Sequence, residues 1–152
     1  MRQQDIAEVI ELMSLGEPYI RPRTASDYWL YAKLFSSTCP LAFVNDHLAG
    51  AVFAFRSQDD PTDVYIQDVM VHPDHRREGI ASALLTGVGD RARGWGCQRL
   101  YLTSEPDNGA AHRAWLTLGY TNVPGDLKIG DVHVHADYKG PGKDRAVYEY
   151  RL

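Results

Sequence analysis

Apolar residues near the start of the chain recur at helical spacing. They predict a first helix, because residues three, four and seven positions apart share one helical face; these residues are Ile6, Val9, Ile10 and Met13. Thr24 and Asp27 then have the spacing of a capping box, with Asp where Glu is usual. They predict the start of a second helix, one face of which is formed by Tyr28, Tyr31, Ala32 and Phe35.

Short apolar runs bounded by turn residues predict strands in the middle of the chain. Residues 41–44 and 48–55 flank Asn45-Asp46-His47, which is typical of a hairpin. A third run, residues 64–71, ends before Pro73. The other predicted elements are a helix over 79–93, a strand over 99–103, a helix ending at Gly119, and strands over 120–123 and 146–152.

This order of elements predicts a mixed α/β layer fold with one parallel strand–helix–strand crossover. No repeat or linker divides the sequence, so residues 1–152 are expected to form a single domain. Residues 124–144 form a long polar segment that contains Gly and Pro. A segment of this kind in a small domain is more often functional or mobile than structural.

Composition narrows the classes of protein to be considered. Of the 152 residues, 44% are hydrophobic and 24% charged, as in a soluble globular protein. The net charge of −4 and the lack of a basic tail argue against non-specific nucleic-acid binding. No apolar run is long enough to cross a membrane. Cys39 and Cys97 have no metal-ligand spacing and are expected to be buried thiols, so a cytoplasmic location is favoured.

The turn after residues 64–71 has the features of an anion site. Backbone N–H groups and the helix dipole at a helix N-terminus hold phosphate or pyrophosphate. Gly79 permits close approach of the backbone, and Arg76 and Arg77 add positive charge, whereas the Glu78 side chain must point away. A Walker loop and a GxGxxG fingerprint are both absent. Taken alone, the pattern is weak and more often marks an ordinary helix start.

Two motifs in order make the pattern more specific. Residues 66–81, IQDVMVHPDHRREGIA, resemble motif A of the GNAT superfamily of N-acetyltransferases. Residues 108–115, NGAAHRAW, followed by LGY at 118–120, resemble its motif B. The resemblance implies the GNAT fold, in which a mixed sheet with helices on both faces binds acetyl-CoA between two splayed parallel strands. Members of the family usually open with a β-strand before the first helix, for which this sequence leaves no room.

The resemblance also implies how acetyl-CoA is bound. The pantetheine arm is expected to pair with the main chain at Val69, Met70 and Val71, much like an added strand. A backbone N–H near Met70 or Val71 would polarise the thioester carbonyl. Asn108 is expected either to bind the pantetheine, to cap the following helix, or both. The pyrophosphate is expected on N–H groups of the turn and first helical residues: Arg76, Arg77, Glu78, Gly79, Ile80, Ala81 and Ser82.

The implied reaction is direct attack of an amine on the acetyl thioester, which requires a proton acceptor. Asp68 is the first candidate for this base, and a structural carboxylate is the alternative. Gln67 replaces a carboxylate found in polyamine-acetylating relatives, and Tyr65 is a weaker candidate for the base. Trp115 stands where many members have the Tyr that protonates the CoA thiolate, and indole does not serve as such an acid.

The acceptor is expected to be a primary amine of a small molecule. The alternatives are protein N-termini or lysines, and a non-catalytic acyl-CoA-binding module. A metal site at His133 and His135 is disfavoured, and no metal is expected. The oligomeric state is left open, although an unpaired sheet edge would favour a homodimer. The acidic and imidazole groups of residues 124–144, together with Glu17, Tyr19 and Tyr28, are expected to receive a cationic amine.

Overall fold

The computed structural model describes all 152 residues and begins with helices. The helices are α1 (Ile6–Ser14), α2 (Ala25–Leu34), α3 (Ile80–Gly94) and α4 (Gly109–Thr117). The strands are β1 (Leu41–Val44), β2 (His47–Arg56), β3 (Asp63–Val71), β4 (Arg99–Ser104), β5 (Thr121–Asn122), β6 (Leu127–Ile129), β7 (Val132–Val134) and β8 (Ala146–Arg151). A short 3-10 helix precedes α1, so no strand comes before the first helix.

The main sheet has six strands in the order β1-β2-β3-β4-β8-β5. Its strands pair antiparallel except for β3 and β4, which are parallel and joined by α3. The predicted crossover and hairpin are therefore confirmed. The hairpin turn is tighter than predicted, because His47 already belongs to β2. Asn45 and Asp46 both have positive φ, at 49° and 63°, as a two-residue type I′ turn requires.

Each face of the sheet is covered by helices and has its own core. The face under α3 is packed mainly with aliphatic side chains, including Val52, Val64, Ile66, Leu84 and Val88. The face under α1 and α2 is more aromatic and includes Val9, Met13, Tyr28, Phe53 and Met70. Cys39 and Cys97 are buried free thiols, as predicted.

A β-bulge in β3 decides which face Asp68 joins. Phe53 pairs with Asp68 and Ala54 with Ile66, so Gln67 has no partner on β2. An extra residue of this kind shifts the alternation of side chains along the strand. Asp68 therefore lies on the face of Phe53, beneath the loop that joins α1 to α2. In a regular strand it would share the face of Ile66, in the core under α3.

The parallel pair β3–β4 separates halfway along its length. Pairing runs from Asp63 opposite Arg99 to Ile66 opposite Leu102 and stops there. Beyond this point β4 stays paired with β8 as far as Ser104, and β3 stays paired with β2 as far as Val71. The main chain of residues 67–71 is thus unpaired on the side that faces β4, and the predicted splay is present.

The polar segment 124–144 contains more structure than was predicted. It folds into the hairpin β6–β7, and a bridge between His135 and Arg145 ties its end to the start of β8. Asn122 holds the hairpin by accepting a hydrogen bond from the His133 N–H at 2.8 Å. The segment is therefore anchored on both sides before it returns to the sheet.

The predicted capping box at α2 is present and orders the chain next to Asp68. Thr24 Oγ1 accepts from the Asp27 N–H at 3.2 Å, and Asp27 Oδ2 accepts from the Thr24 N–H at 3.1 Å. One residue earlier, the Arg23 N–H donates to the Tyr28 hydroxyl at 3.0 Å. The start of α2 therefore fixes the main chain at Arg23.

Removal of this cap is expected to destabilise the fold modestly. Thr24→Ala is expected to lower the free energy of unfolding by about 0.5–2 kcal/mol, because the Asp27 N–H loses its acceptor, Thr24 Oγ1. Urea denaturation followed by circular dichroism measures the change. Ser26→Ala, at an exposed position in the same helix, is the matched control and should leave stability nearly unchanged. Equal losses in the two variants would contradict the role of the cap.

Candidate active site

A cleft opens where β3 and β4 separate. Its volume is about 270 Å³, near the lower end of the range for small-molecule sites, roughly 300–1,000 Å³. The loop between α1 and α2, both strands, α4 and the segment before β8 all contribute to its walls. The residues that line it include Tyr19, Arg23, Gln67, Asp68, Val69, Thr103, Asn108, Trp115, Lys139 and Arg145.

Asp68 is the main titratable group in the cleft. Its side chain is 13% exposed, and its Oδ2 atom is buried without a hydrogen-bond partner. Burial raises the pKa of Asp68 to about 6, against the opposing charges of Arg23 and Lys139. Arg23 Nη2 lies 3.9 Å from Oδ2, beyond hydrogen-bonding distance. Asp68 Oδ2 therefore lacks the hydrogen bond that a satisfied structural carboxylate would have.

The predicted main-chain contacts for pantetheine have the geometry they require. Val69, Met70 and Val71 pair with β2 on one side and face the gap to β4 on the other. The Val69 side chain lines the cleft, whereas Met70 is buried against α1. Any role of Met70 in binding therefore belongs to its main chain.

The predicted phosphate turn lies at the start of α3. Gly79 has a φ of 79° and no side chain to cap the helix. The first helical bond runs from the Ala83 N–H to the Gly79 carbonyl. The N–H groups of Ile80, Ala81 and Ser82 precede it and have no acceptor within the helix. They form the group of free donors that an anion at a helix N-terminus requires.

In this turn the positive side chains are exposed, whereas the negative one is paired with a histidine. Arg76 and Arg77 are exposed, and Arg77 has a positive φ of 68°. Glu78 lies against His75, with Oε2 at 3.1 Å from Nδ1. The arginines make no ion pair within the chain, which leaves their charge available to a phosphate.

Asn108 and Trp115 stand on the α4 side of the cleft. Asn108 Oδ1 accepts from the Ala111 N–H at 3.0 Å, which confirms the cap. The Asn108 side-chain amide NH2 group makes no hydrogen bond within the chain, and Asn108 lines the cleft. Trp115 packs edge-on against Tyr120 at 5.2 Å between ring centroids and forms part of the wall.

Neither Tyr120 nor Tyr138 supplies to the cleft the hydroxyl that motif B lacks at Trp115. Tyr120 is 5% exposed and lies in the core, where burial raises its pKa. Tyr138 is exposed and stacks on His135 outside the cleft. Tyr65 was the weaker candidate for the base. Its hydroxyl lies 3.1 Å from Thr103 Oγ1 and accepts from Lys139 Nζ at 2.8 Å.

The groups predicted to receive the acceptor require a correction. Residues 124–144 do border the cleft, but through Lys139, with Arg145 beyond the end of the segment. The predicted acidic and imidazole groups do not line it. Their main chain forms the β6–β7 hairpin and the bridge to Arg145, which directs Asp131, His133, His135 and Asp137 elsewhere. Of the predicted N-terminal residues, Tyr19 lines the cleft, Glu17 does not, and Tyr28 is wholly buried.

No three His, Cys, Asp or Glu side chains converge as metal ligands. None of the helices combines the length and apolar character that a membrane span requires.

A family model described as the acetyltransferase (GNAT) family matches residues 6–120. The chain belongs to the GNAT family. The splayed parallel pair β3–β4 and the crossover helix α3 agree with the GNAT fold that the sequence motifs implied.

Two of the similar proteins are named as diaminobutyrate acetyltransferases. L-2,4-diaminobutyric acid acetyltransferase of Nocardia farcinica (strain IFM 10152) is 31% identical over 84 residues, which are 55% of this chain and 44% of that enzyme. The chain thus spans less than half the length of that relative. The diaminobutyrate acetyltransferase of Paenibacillus lautus, solved with L-2,4-diaminobutyric acid and coenzyme A, is 26% identical with a TM-score of 0.77. That match covers 97% of this chain and 89% of the other.

The same fold also occurs in enzymes named for a protein substrate. The ribosomal-protein-S18-alanine N-acetyltransferase of Escherichia coli has a TM-score of 0.70 and 16% identity, over 100% of this chain and 90% of that one. At this identity the likeness shows the fold alone. The GNAT fold therefore does not distinguish small from macromolecular acceptors.

Several residues of the GNAT site were missed by sequence reasoning. Arg23, Glu105, Lys139 and Arg145 reach the cleft from loops. Nothing in their spacing relates them to motifs A and B. Of these residues, only Arg23 could have been noticed from the sequence, because it directly precedes the capping box that begins at Thr24.

Proposed function

We propose that this chain is an acetyl-CoA-dependent N-acetyltransferase that acts on a primary amine of a small molecule. The observation that carries the proposal is the cleft between β3 and β4, where Asp68 Oδ2, which has no hydrogen-bond partner, lies beside the unpaired main chain of residues 67–71. We treat residues 1–152 as one catalytic domain. The proposal requires no metal ion.

The donor is expected to lie along the gap with its phosphates at α3. The free N–H groups of Ile80, Ala81 and Ser82 would bind the pyrophosphate, with Arg76 and Arg77 neutralising charge. The pantetheine would extend past Val69 and Met70 toward the point where β3 and β4 separate. A main-chain N–H facing the gap would polarise the thioester carbonyl.

The acetyl group is transferred by direct attack. The amine nitrogen forms a bond to the thioester carbonyl carbon, the carbon–sulfur bond breaks, and CoA leaves as a thiolate. The proton lost by nitrogen passes to Asp68 Oδ2. No cysteine lines the cleft, and burial raises the pKa of Cys39 to about 11, so neither thiol is placed to carry the acetyl group.

The size and boundaries of the cleft favour a small acceptor. A volume of about 270 Å³ has room for a compact amine next to the acetyl group. Lys139 reaches across to the Tyr65 hydroxyl on β3, so the segment before β8 restricts the groove that a peptide would need. The two diaminobutyrate acetyltransferases among the relatives make short diamines the first acceptors to test.

Thiol release from acetyl-CoA tests the proposal. The purified chain is mixed with acetyl-CoA and, separately, with short diamines, amino acids, peptides with free N-termini, or no acceptor. We expect release that depends on a small amine. Release with peptides alone would favour a protein acetyltransferase, and acetyl-CoA binding without release on any acceptor would favour a non-catalytic module.

A further inference from the structure

Positively charged side chains outnumber negatively charged ones in the lining of the cleft. Arg23, Lys139 and Arg145 line it together with two carboxylates, Asp68 and Glu105. Three cations against two anions leave one positive charge, although the chain as a whole carries −4. A site built only for a polyamine would be expected to have the opposite sign.

The unmatched charge belongs to Lys139. Arg145 is paired with Glu105 at 3.0 Å, and Arg23 lies 3.9 Å from Asp68. Lys139 has no carboxylate within ion-pair distance, and its only side-chain partner is the neutral Tyr65 hydroxyl at 2.8 Å. An ammonium group carries three donors, so two of them remain to bind an anion.

The donor's phosphates do not account for this cation. They are expected at the start of α3, and no residue from Arg76 to Ser82 lines the cleft that Lys139 enters. Lys139 instead shares that cleft with Asp68 and lies near enough for its charge to act on that carboxylate. This leaves the acceptor as a source of the anion for Lys139.

The position of Lys139 is held by the sheet and by its own loop. Tyr65 Oη bonds to Thr103 Oγ1 at 3.1 Å, so the group that Lys139 contacts is tied to both β3 and β4. The Lys139 ammonium also lies over the Tyr65 ring, 5.3 Å from its centroid. On the main chain, the Lys139 N–H donates to the Lys143 carbonyl, which closes the loop that carries it.

We propose that the acceptor carries a carboxylate as well as the reacting amine, and that Lys139 is the residue that selects it. This inference rests on the proposed acetyltransferase function. The amine lies at Asp68 and the carboxylate at Lys139, so a short amino acid with a side-chain amine fits both ends. A charge-assisted hydrogen bond to the carboxylate orients the amine toward the thioester.

Matched acceptors with and without the carboxylate test the inference. The pairs are L-2,4-diaminobutyrate with 1,3-diaminopropane, and L-lysine with 1,5-diaminopentane. The wild-type chain is expected to prefer the carboxylate of a pair by about tenfold or more in kcat/KM, the effect of one charge-assisted hydrogen bond. Lys139→Met is expected to abolish that preference, mainly by raising KM for the amino acid. Lys139→Arg should restore part of it.

Two controls separate this role from a structural one. Lys143→Met removes an exposed lysine of the same loop that does not line the cleft, and the preference should persist. The KM for acetyl-CoA should be unchanged in Lys139→Met. Equal loss on both members of a pair, or a raised KM for acetyl-CoA, overturns the inference and leaves the acetyltransferase proposal intact. Acetylation of none of the four amines overturns both.

Discussion

Asp68→Asn is expected to lower kcat/KM for the amine by about 10²–10⁴-fold, the usual contribution of a general base. The amide keeps the size of the side chain and removes the group that accepts the proton. Because Asp68 Oδ2 has no hydrogen-bond partner in the fold, the loss reflects chemistry rather than a broken contact. Steady-state kinetics with saturating acetyl-CoA measure it.

The pH dependence of the wild-type chain identifies the group. With a pKa of about 6, Asp68 is protonated and inactive as a base at lower pH and ionised above that value. The kcat/KM is therefore expected to rise through pH 6, and this limb is expected to vanish in Asp68→Asn. Asp131→Asn alters an exposed carboxylate outside the cleft and should keep both rate and profile. An unchanged rate in Asp68→Asn would refute the assignment.

The free energy of unfolding of Asp68→Asn provides a control, because the direction of its change follows from the pKa of Asp68. The pKa of Asp68 is raised in the folded chain from an ordinary value of 3.8, so between the two values the folded state binds more protons than the unfolded state. The contribution of Asp68 to stability therefore declines as pH rises through this window. At neutral pH Asp68→Asn is expected to be at least as stable as the wild-type chain, so unfolding does not explain its loss of activity.

Gly79→Val is expected to raise the KM for acetyl-CoA by about tenfold or more, because strain of about 1–2 kcal/mol at a left-handed position redirects the turn. Gly79 has a φ of 79°, yet a Cβ built there meets no atom within 4 Å. The effect is thus one of backbone conformation rather than collision. It moves the N–H groups of Ile80 and Ala81 away from the pyrophosphate.

Gly87→Ala is the matched control for this variant. Gly87 lies in the middle of α3, where an added Cβ also meets no atom within 4 Å and φ is not positive. Replacement by Ala is expected to stabilise the helix by about 0.5–1 kcal/mol and to leave the KM for acetyl-CoA unchanged. A Gly79→Val chain that binds acetyl-CoA as tightly as this control would contradict the phosphate site.

Local rules predicted the elements around the expected donor site. The capping box at Thr24, the hairpin after Val44 and the crossover through α3 depend on residues close in sequence. The phosphate turn is of the same kind, since it is built from a strand end, a glycine and a helix start. Such features follow from short-range sterics and hydrogen bonding, and the structure contains each of them.

The side chains expected to meet the acceptor could not be placed from the spacing of residues in the sequence. The bulge at Gln67 places Asp68 on the face of Phe53, and no residue type in the sequence predicts this bulge. Lys139 enters the cleft because the β6–β7 hairpin folds back onto the sheet, a long-range arrangement. The sequence therefore led to an acceptor site formed by the acidic and imidazole groups of residues 124–144, whereas this segment reaches the cleft through Lys139.

The fate of an isotope-labelled acetyl group tests the central claim most directly. The chain is incubated with labelled acetyl-CoA alone and then with L-2,4-diaminobutyrate, and protein and small molecules are analysed by mass spectrometry. Direct transfer predicts an unlabelled protein throughout and label on the amine of the small molecule only after it is added. Label on a protein side chain before the amine is added, or no label on any amine tested, would contradict it.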